Sequence, residues 1–156
     1  MKLFTLFLFV QWCAVGLYSQ TYIYKGEGKY NRDVAFTIDK NKVYHGNGNS
    51  GNTVIYTIEN NKIYFGNSTS TFQLAYTIDG NKIYRGNSKF TDDLLYVIYD
   101  NKVYKSDFRS PMDCLLTFED AKVYFGDSTF DNNLIYSYSS KETYDLTILT
   151  CILGPY

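Results

Sequence analysis

Histidine is nearly missing from this chain: His45 is the single one among 156 residues. A His-rich metal site or a His-based catalytic set has no material to be built from. Tryptophan occurs once, proline twice and cysteine three times. An excess of either charge is missing too, since 15 Lys and Arg face 16 Asp and Glu for a net charge of -1. Phosphate backbones need a basic excess, which excludes a nucleic-acid binder of that kind. No calcium loop of the D-x-[DN]-x-[DN]-G type occurs. The letters of a dinucleotide fingerprint run from Gly46 to Gly51, but that site needs a helix to open there, and the TVIYTIE that follows reads as a strand. What the chain has in abundance is aromatic: 17 Tyr and 11 Phe. That much apolar surface argues for a folded chain, and the length for one domain.

The first residues read as an address rather than as structure. Met1-Lys2 is followed by the apolar run LFTLFLFV and then by small residues, the pattern of a secretory signal peptide. Leu3 to Leu17 is short for a span of about 20 residues, and Gln11 interrupts it. Cleavage near Ser19 is expected, with Gly16 as the other option, so residues 1–19 are the leader and the mature protein is exported. Trp12 and Cys13 leave with it. An exported compartment permits a disulfide between Cys114 and Cys151. However, Cys114 stands where other repeats carry Val or Leu, which favours buried free thiols.

Residues 20–144 are organised by a repeat of 20 residues without insertion or deletion. NKVYHGN starts at Asn41, NKIYFGN at Asn61, NKIYRGN at Asn81, NKVYKSD at Asn101 and AKVYFGD at Ala121. TYIYKGE at Thr21 is the same element, and KETYDLT at Lys141 is a decayed one. Tyr24, Tyr44, Tyr64, Tyr84, Tyr104, Tyr124 and Tyr144 recur, preceded by Ile or Val in six of the seven. The other half of each unit, such as IYTIEN or AYTIDG, is rich in β-branched and aromatic residues and reads as a strand. Period-two spacing places Val54, Tyr56 and Ile58 on one face, and likewise Leu74, Tyr76 and Ile78. Between the strands stand Asn- and Gly-bearing turns of two or three residues, flanked by Asp or Glu and Lys that are expected to face each other. Polar stretches such as GNSTSTF and GDSTFDNN follow as loops.

Each unit is therefore a β-hairpin, and a lone hairpin is not stable in water. The first unit is a lone second strand, Tyr22 to Lys25, which suits a ring whose terminal strands pair as a clasp. Closure also removes sheet edges. The predicted fold is all-β: a closed antiparallel meander of about six hairpin repeats, with 12 or so strands. The tandem YTIDGNKIYRGNS unit resembles the β-flower families, shallow radially symmetric barrels whose hairpins splay as petals. The resemblance spans Thr21 to Tyr144. It implies no established reaction, ligand or cofactor.

Symmetry guides the choice of candidate residues. The seven tyrosines obey the repeat, as a packing residue does, each filling the gap between hairpins. The position after each tyrosine varies (Lys25, His45, Phe65, Arg85, Lys105, Phe125) and points to the opposite face. A variable column on a regular scaffold is where recognition can reside, and Phe65, Arg85 and Phe125 are the candidate ligand contacts; an exposed column free to drift is the plainer account. Asn67-Ser68-Thr69 matches a glycosylation sequon. Asp92, Asp93, Asp127 and Asp131 suggest a rival reading, a glycan hydrolase with paired loop carboxylates. No nucleophile–base pair, metal cluster or cofactor loop is visible, so a non-catalytic interaction or structural module is preferred. It is expected to be monomeric, with no cofactor and with a glycan, a lipid or another envelope component as partner. The apolar tail 145–156, with LTILTCIL from Leu146, is expected to pack back as a strand closing the barrel beside Tyr22 to Lys25; Leu146, Leu149 and Leu153 also fit a helical stripe.

Overall fold

A computed structural model describes residues 20–48, 51–139 and 145–154; the expected leader, residues 1–19, and Tyr144 lie outside these. Twelve strands form one closed antiparallel barrel: β1 (Thr21–Lys25), β2 (Val34–Asp39), β3 (Lys42–His45), β4 (Val54–Glu59), β5 (Lys62–Phe65), β6 (Leu74–Asp79), β7 (Lys82–Arg85), β8 (Leu94–Tyr99), β9 (Lys102–Tyr104), β10 (Cys114–Glu119), β11 (Lys122–Phe125) and β12 (Leu134–Tyr138). Each strand neighbours the next in sequence, and β12 closes on β1. The expected clasp is present. Ile23 pairs with Tyr138 and Tyr24 with Ser137 in the register by which Ile63 pairs with Ile58 and Tyr64 with Thr57. The sixth hairpin is thus assembled from the two ends of the repeat array.

The tight turns have two residues. Asn60-Asn61, Asp100-Asn101 and Asp120-Ala121 all take positive φ, which matches the twist of the flanking strands. In register Glu59 faces Lys62 and Asp79 faces Lys82, as expected. The ammonium groups reach elsewhere, however. Lys62 donates to Asn87, Lys82 to Asp107, Lys102 to Asp127 and Lys122 to Glu27, each in a loop of the neighbouring unit. Lys42 does the same with Asn67, the sequon asparagine. These contacts lace the hairpins round the ring. They hold the Lys82, Lys102 and Lys122 ammonium groups above their ordinary range, chiefly through the carboxylate hydrogen bond, and hold Glu27 below its own.

The strict period of two fails at one place in every unit. Tyr44 pairs with Val54, yet Val43 pairs with Tyr56, so residue 55 is a bulge. The same shift recurs at Tyr64/Leu74 and Tyr84/Leu94. Val54 and Leu74 therefore lie on the outer face with the repeated tyrosines, not with Tyr56 and Tyr76. The bulge adds Ala75 to the core and packs Ile55 and Leu95 against it. On the outer face Thr37, Thr57, Thr77 and Thr117 donate from Oγ1 to the carbonyls of Gly46, Gly66, Gly86 and Gly126. The fifth unit lacks both partners, having Val97 and Ser106 instead.

The tail is a helix, α1 (Leu146–Leu153), rather than the expected closing strand. Asp145 caps it, accepting from the Thr147 amide at 2.9 Å. Leu149, Cys151, Ile152 and Leu153 share one core with Ile23, Val43, Ile63, Ile83, Val103 and Val123, which come from every hairpin. The helix thus fills the barrel. Two physical facts explain the difference. The ring is already closed by β1 and β12, which leaves no edge for a further strand. An interior segment must also satisfy its own backbone groups, which a helix does and a lone strand cannot. A barrel of eight strands is filled by its side chains, whereas twelve leave room for more. Cys114 sits on the outer face opposite Tyr104 and Cys151 lies inside; both are free and buried.

Candidate ligand site at the barrel mouth

Four tiers of inward-facing side chains run from the turns to the opposite end. Ile38, Ile58, Ile78 and Ile98 lie nearest the turns, and the fully buried Ile/Val ring comes next. A mostly aromatic tier follows, containing Phe36, Tyr56, Tyr76, Tyr96 and Tyr136. The last tier is the variable column, since Phe65 pairs with Tyr56, Arg85 with Tyr76 and Phe125 with Leu116. The column does point away from the tyrosines, and that direction is the mouth of the barrel.

The structure brings two of the three candidates together. A cavity of about 440 Å³ at the mouth is lined by Phe65, Ala75, Tyr76, Arg85, Leu95 and Tyr96, together with Leu74 and Gly86. Phe125 is half exposed on the same rim, two hairpins further round, and does not line it. Behind that wall the buried Tyr56 ring lies 5.6 Å from Phe65 and 6.4 Å from Tyr76, both tilted, and so links the two lining rings. At its inner end α1 arrives, with Gly154 seated against the Tyr96 ring. Lys25, His45 and Lys105 complete the rim with Arg85, and the column holds no acid. No ion pair to Arg85 is present among the described residues. A rim of like charge beside apolar walls attracts an anion, and the low-dielectric wall strengthens the pull.

The match spans residues 23–151 and is to the family described as 6-fold beta flower protein. The chain belongs to that family. Its sixfold count is the one the topology shows, five hairpins plus the clasp. The family description names no reaction or ligand. No curated protein and no solved structure matches this β-flower.

The remaining sequence candidates fall into place around this site. Tyr44, Tyr64, Tyr84, Tyr104 and Tyr124 are buried on the outer wall, and Tyr24 is half-buried. The four loop acids do not form one constellation. Asp92 and Asp93 belong to a short 3₁₀ turn in one loop, while Asp131 begins the turn two loops on. Asp127 is held by Lys102. A second cavity, about 680 Å³ at the turn end, gathers Asp100, Glu119, Asp120 and Asp127 around Lys102, without Asp92, Asp93 or Asp131. Gly51 opens a single 3₁₀ turn and then β4, so the Gly46–Gly51 match has no α-helix behind it. Sequence reasoning missed the cavity's own walls, Tyr76, Leu95 and Tyr96. Leu95 is itself the bulge residue, and an isolated sequence does not display bulges.

Proposed function

We propose that this β-flower is an exported, non-catalytic binding module whose mouth cavity holds an anionic ligand with a flat ring. The observation that carries this reading is the break of symmetry at one sector of the rim. There Phe65 and Arg85 stand side by side over Tyr76 and Tyr96. Aromatic walls suit the face of a sugar or aromatic ring, and a guanidinium is a fixed fork for a carboxylate or phosphate. An acidic sugar unit of an extracellular glycan combines both features. A screen of the protein on arrays of glycans, lipids and envelope extracts tests it. Acidic ring-bearing ligands should bind, and Arg85→Ala should weaken that binding about tenfold or more. Binding that Arg85→Ala and Phe65→Ala both leave unchanged would remove the mouth from consideration.

A further inference from the structure

The mouth cavity holds one charged residue and little else that is polar, and that imbalance narrows its ligand. Of the residues that line it, Phe65, Leu74, Ala75 and Leu95 are wholly apolar, and Tyr76 and Tyr96 are aromatic. Arg85 carries the one charge, and no acid, amide, serine or threonine lines the cavity among the described residues. The backbone at Gly86 adds no free group. Its N–H donates to the Ala75 carbonyl at 2.8 Å, and its own carbonyl accepts from Thr77 Oγ1. A ligand therefore meets the guanidinium, two tyrosine hydroxyls and otherwise apolar surface. The cavity at the turn end is the converse, with Asn101, Thr117, Ser128 and Thr129 among its carboxylates.

A sugar ring and an aromatic ring both offer apolar faces to aromatic walls, and both can bring a carboxylate to a guanidinium. They differ at the edge. A pyranose edge carries hydroxyls. Each one that enters the cavity gives up water and finds no partner on Leu74, Ala75 or Leu95, which weakens binding about tenfold or more. The edge of an aromatic ring is C–H, so the same walls favour its burial. Charge makes a parallel choice. One guanidinium balances one carboxylate, whereas a doubly charged phosphate leaves a charge uncompensated beside an apolar wall. Size agrees with both. The volume of about 440 Å³ lies toward the lower end of ligand cavities, which run from about 300 to 1,000 Å³. It holds one ring with a short acid arm rather than a run of linked sugars.

We infer that the mouth selects aromatic monocarboxylates over sugar acids, with Arg85 holding the carboxylate and the ring lying among Phe65, Leu95 and Tyr96. The inference rests on the proposed mouth site and narrows its ligand: an acidic sugar supplies the anion and the flat face but not the apolar edge. Calorimetric titration of the full chain with phenylacetate and with glucuronate, repeated on Arg85→Ala, tests it. Arg85 is exposed, so the variant should keep its melting temperature. Phenylacetate should bind at least about tenfold more tightly than glucuronate, and Arg85→Ala should weaken phenylacetate about tenfold. Glucuronate that binds equally or more tightly, and that Arg85→Ala weakens, would overturn the selectivity and leave the mouth as the site. Binding of neither acid at millimolar concentration, or binding that Arg85→Ala leaves unchanged, would overturn the selectivity and the mouth site together.

Discussion

At the scale of single residues, one strand sets two neighbours in opposite surroundings. Ile83 is fully buried in the ring around α1, and Arg85, two residues on, is exposed at the mouth. Ile83→Asp places an unpaired charge in the core and should cost several kcal/mol, while Arg85→Ala should stay within about 0.5 kcal/mol. Urea midpoints of the two variants measure the difference, and equal losses would mean that the Arg85 tier is as buried as the Ile83 ring. Cys151 offers a pH test. Burial raises its thiol pKa well above the ordinary value, so the folded chain holds that proton more tightly than the unfolded chain does. Its contribution is complete below the unfolded thiol range, near about 8.5, and is lost as pH rises beyond it. Cys151→Val should therefore flatten the fall in melting temperature between pH 7.5 and 9.5. An unchanged slope would show that Cys151 does not titrate on unfolding.

At the scale of elements, the sequence was most informative where the repeat enforces itself. Six copies of Ile/Val-Tyr fixed strand and face for β1, β3, β5, β7, β9 and β11, and Asn-rich pairs fixed the turns. The strands that precede the turns were legible only in part, because the bulge at residues 55, 75 and 95 reverses the face of the residue before it. That reversal depends on the neighbouring strand's register, which no local pattern records. The tail was legible as buried and not as helical. Its eight residues fit both periods, and the choice was made by the space that twelve strands leave. The lysine lacing joins residues 25 apart, or 95 apart where Lys122 meets Glu27 across the closure, and only the closed ring makes those equivalent. If α1 fills the barrel, Leu149→Ala should cost about 2–5 kcal/mol, and deletion of 145–156 should leave an aggregating chain. A soluble truncated protein with an unchanged melting temperature would show that the barrel stands without its plug.

At the scale of the molecule, the two ends of the barrel differ. The turn end carries the lacing lysines, and the mouth carries a basic and aromatic rim over a cavity. The candidate column was legible in the sequence because it varies in charge and size beside the repeated tyrosines. Its floor was not, because Tyr76 and Tyr96 read as core residues and are core residues whose outer edges happen to line the cavity. Sixfold repetition makes equivalent surfaces, so the one sector that pairs Phe65 with Arg85 is where the account places recognition. Titrating the isotope-labelled protein with small aromatic carboxylates and with their uncharged amides, followed by NMR, tests this most directly. The account predicts that carboxylates move the resonances of Phe65, Arg85 and Leu95 and that the amides bind at least about tenfold more weakly. Equal binding of acids and amides, or shifts confined to the Asp127 cavity at the turn end, would contradict it.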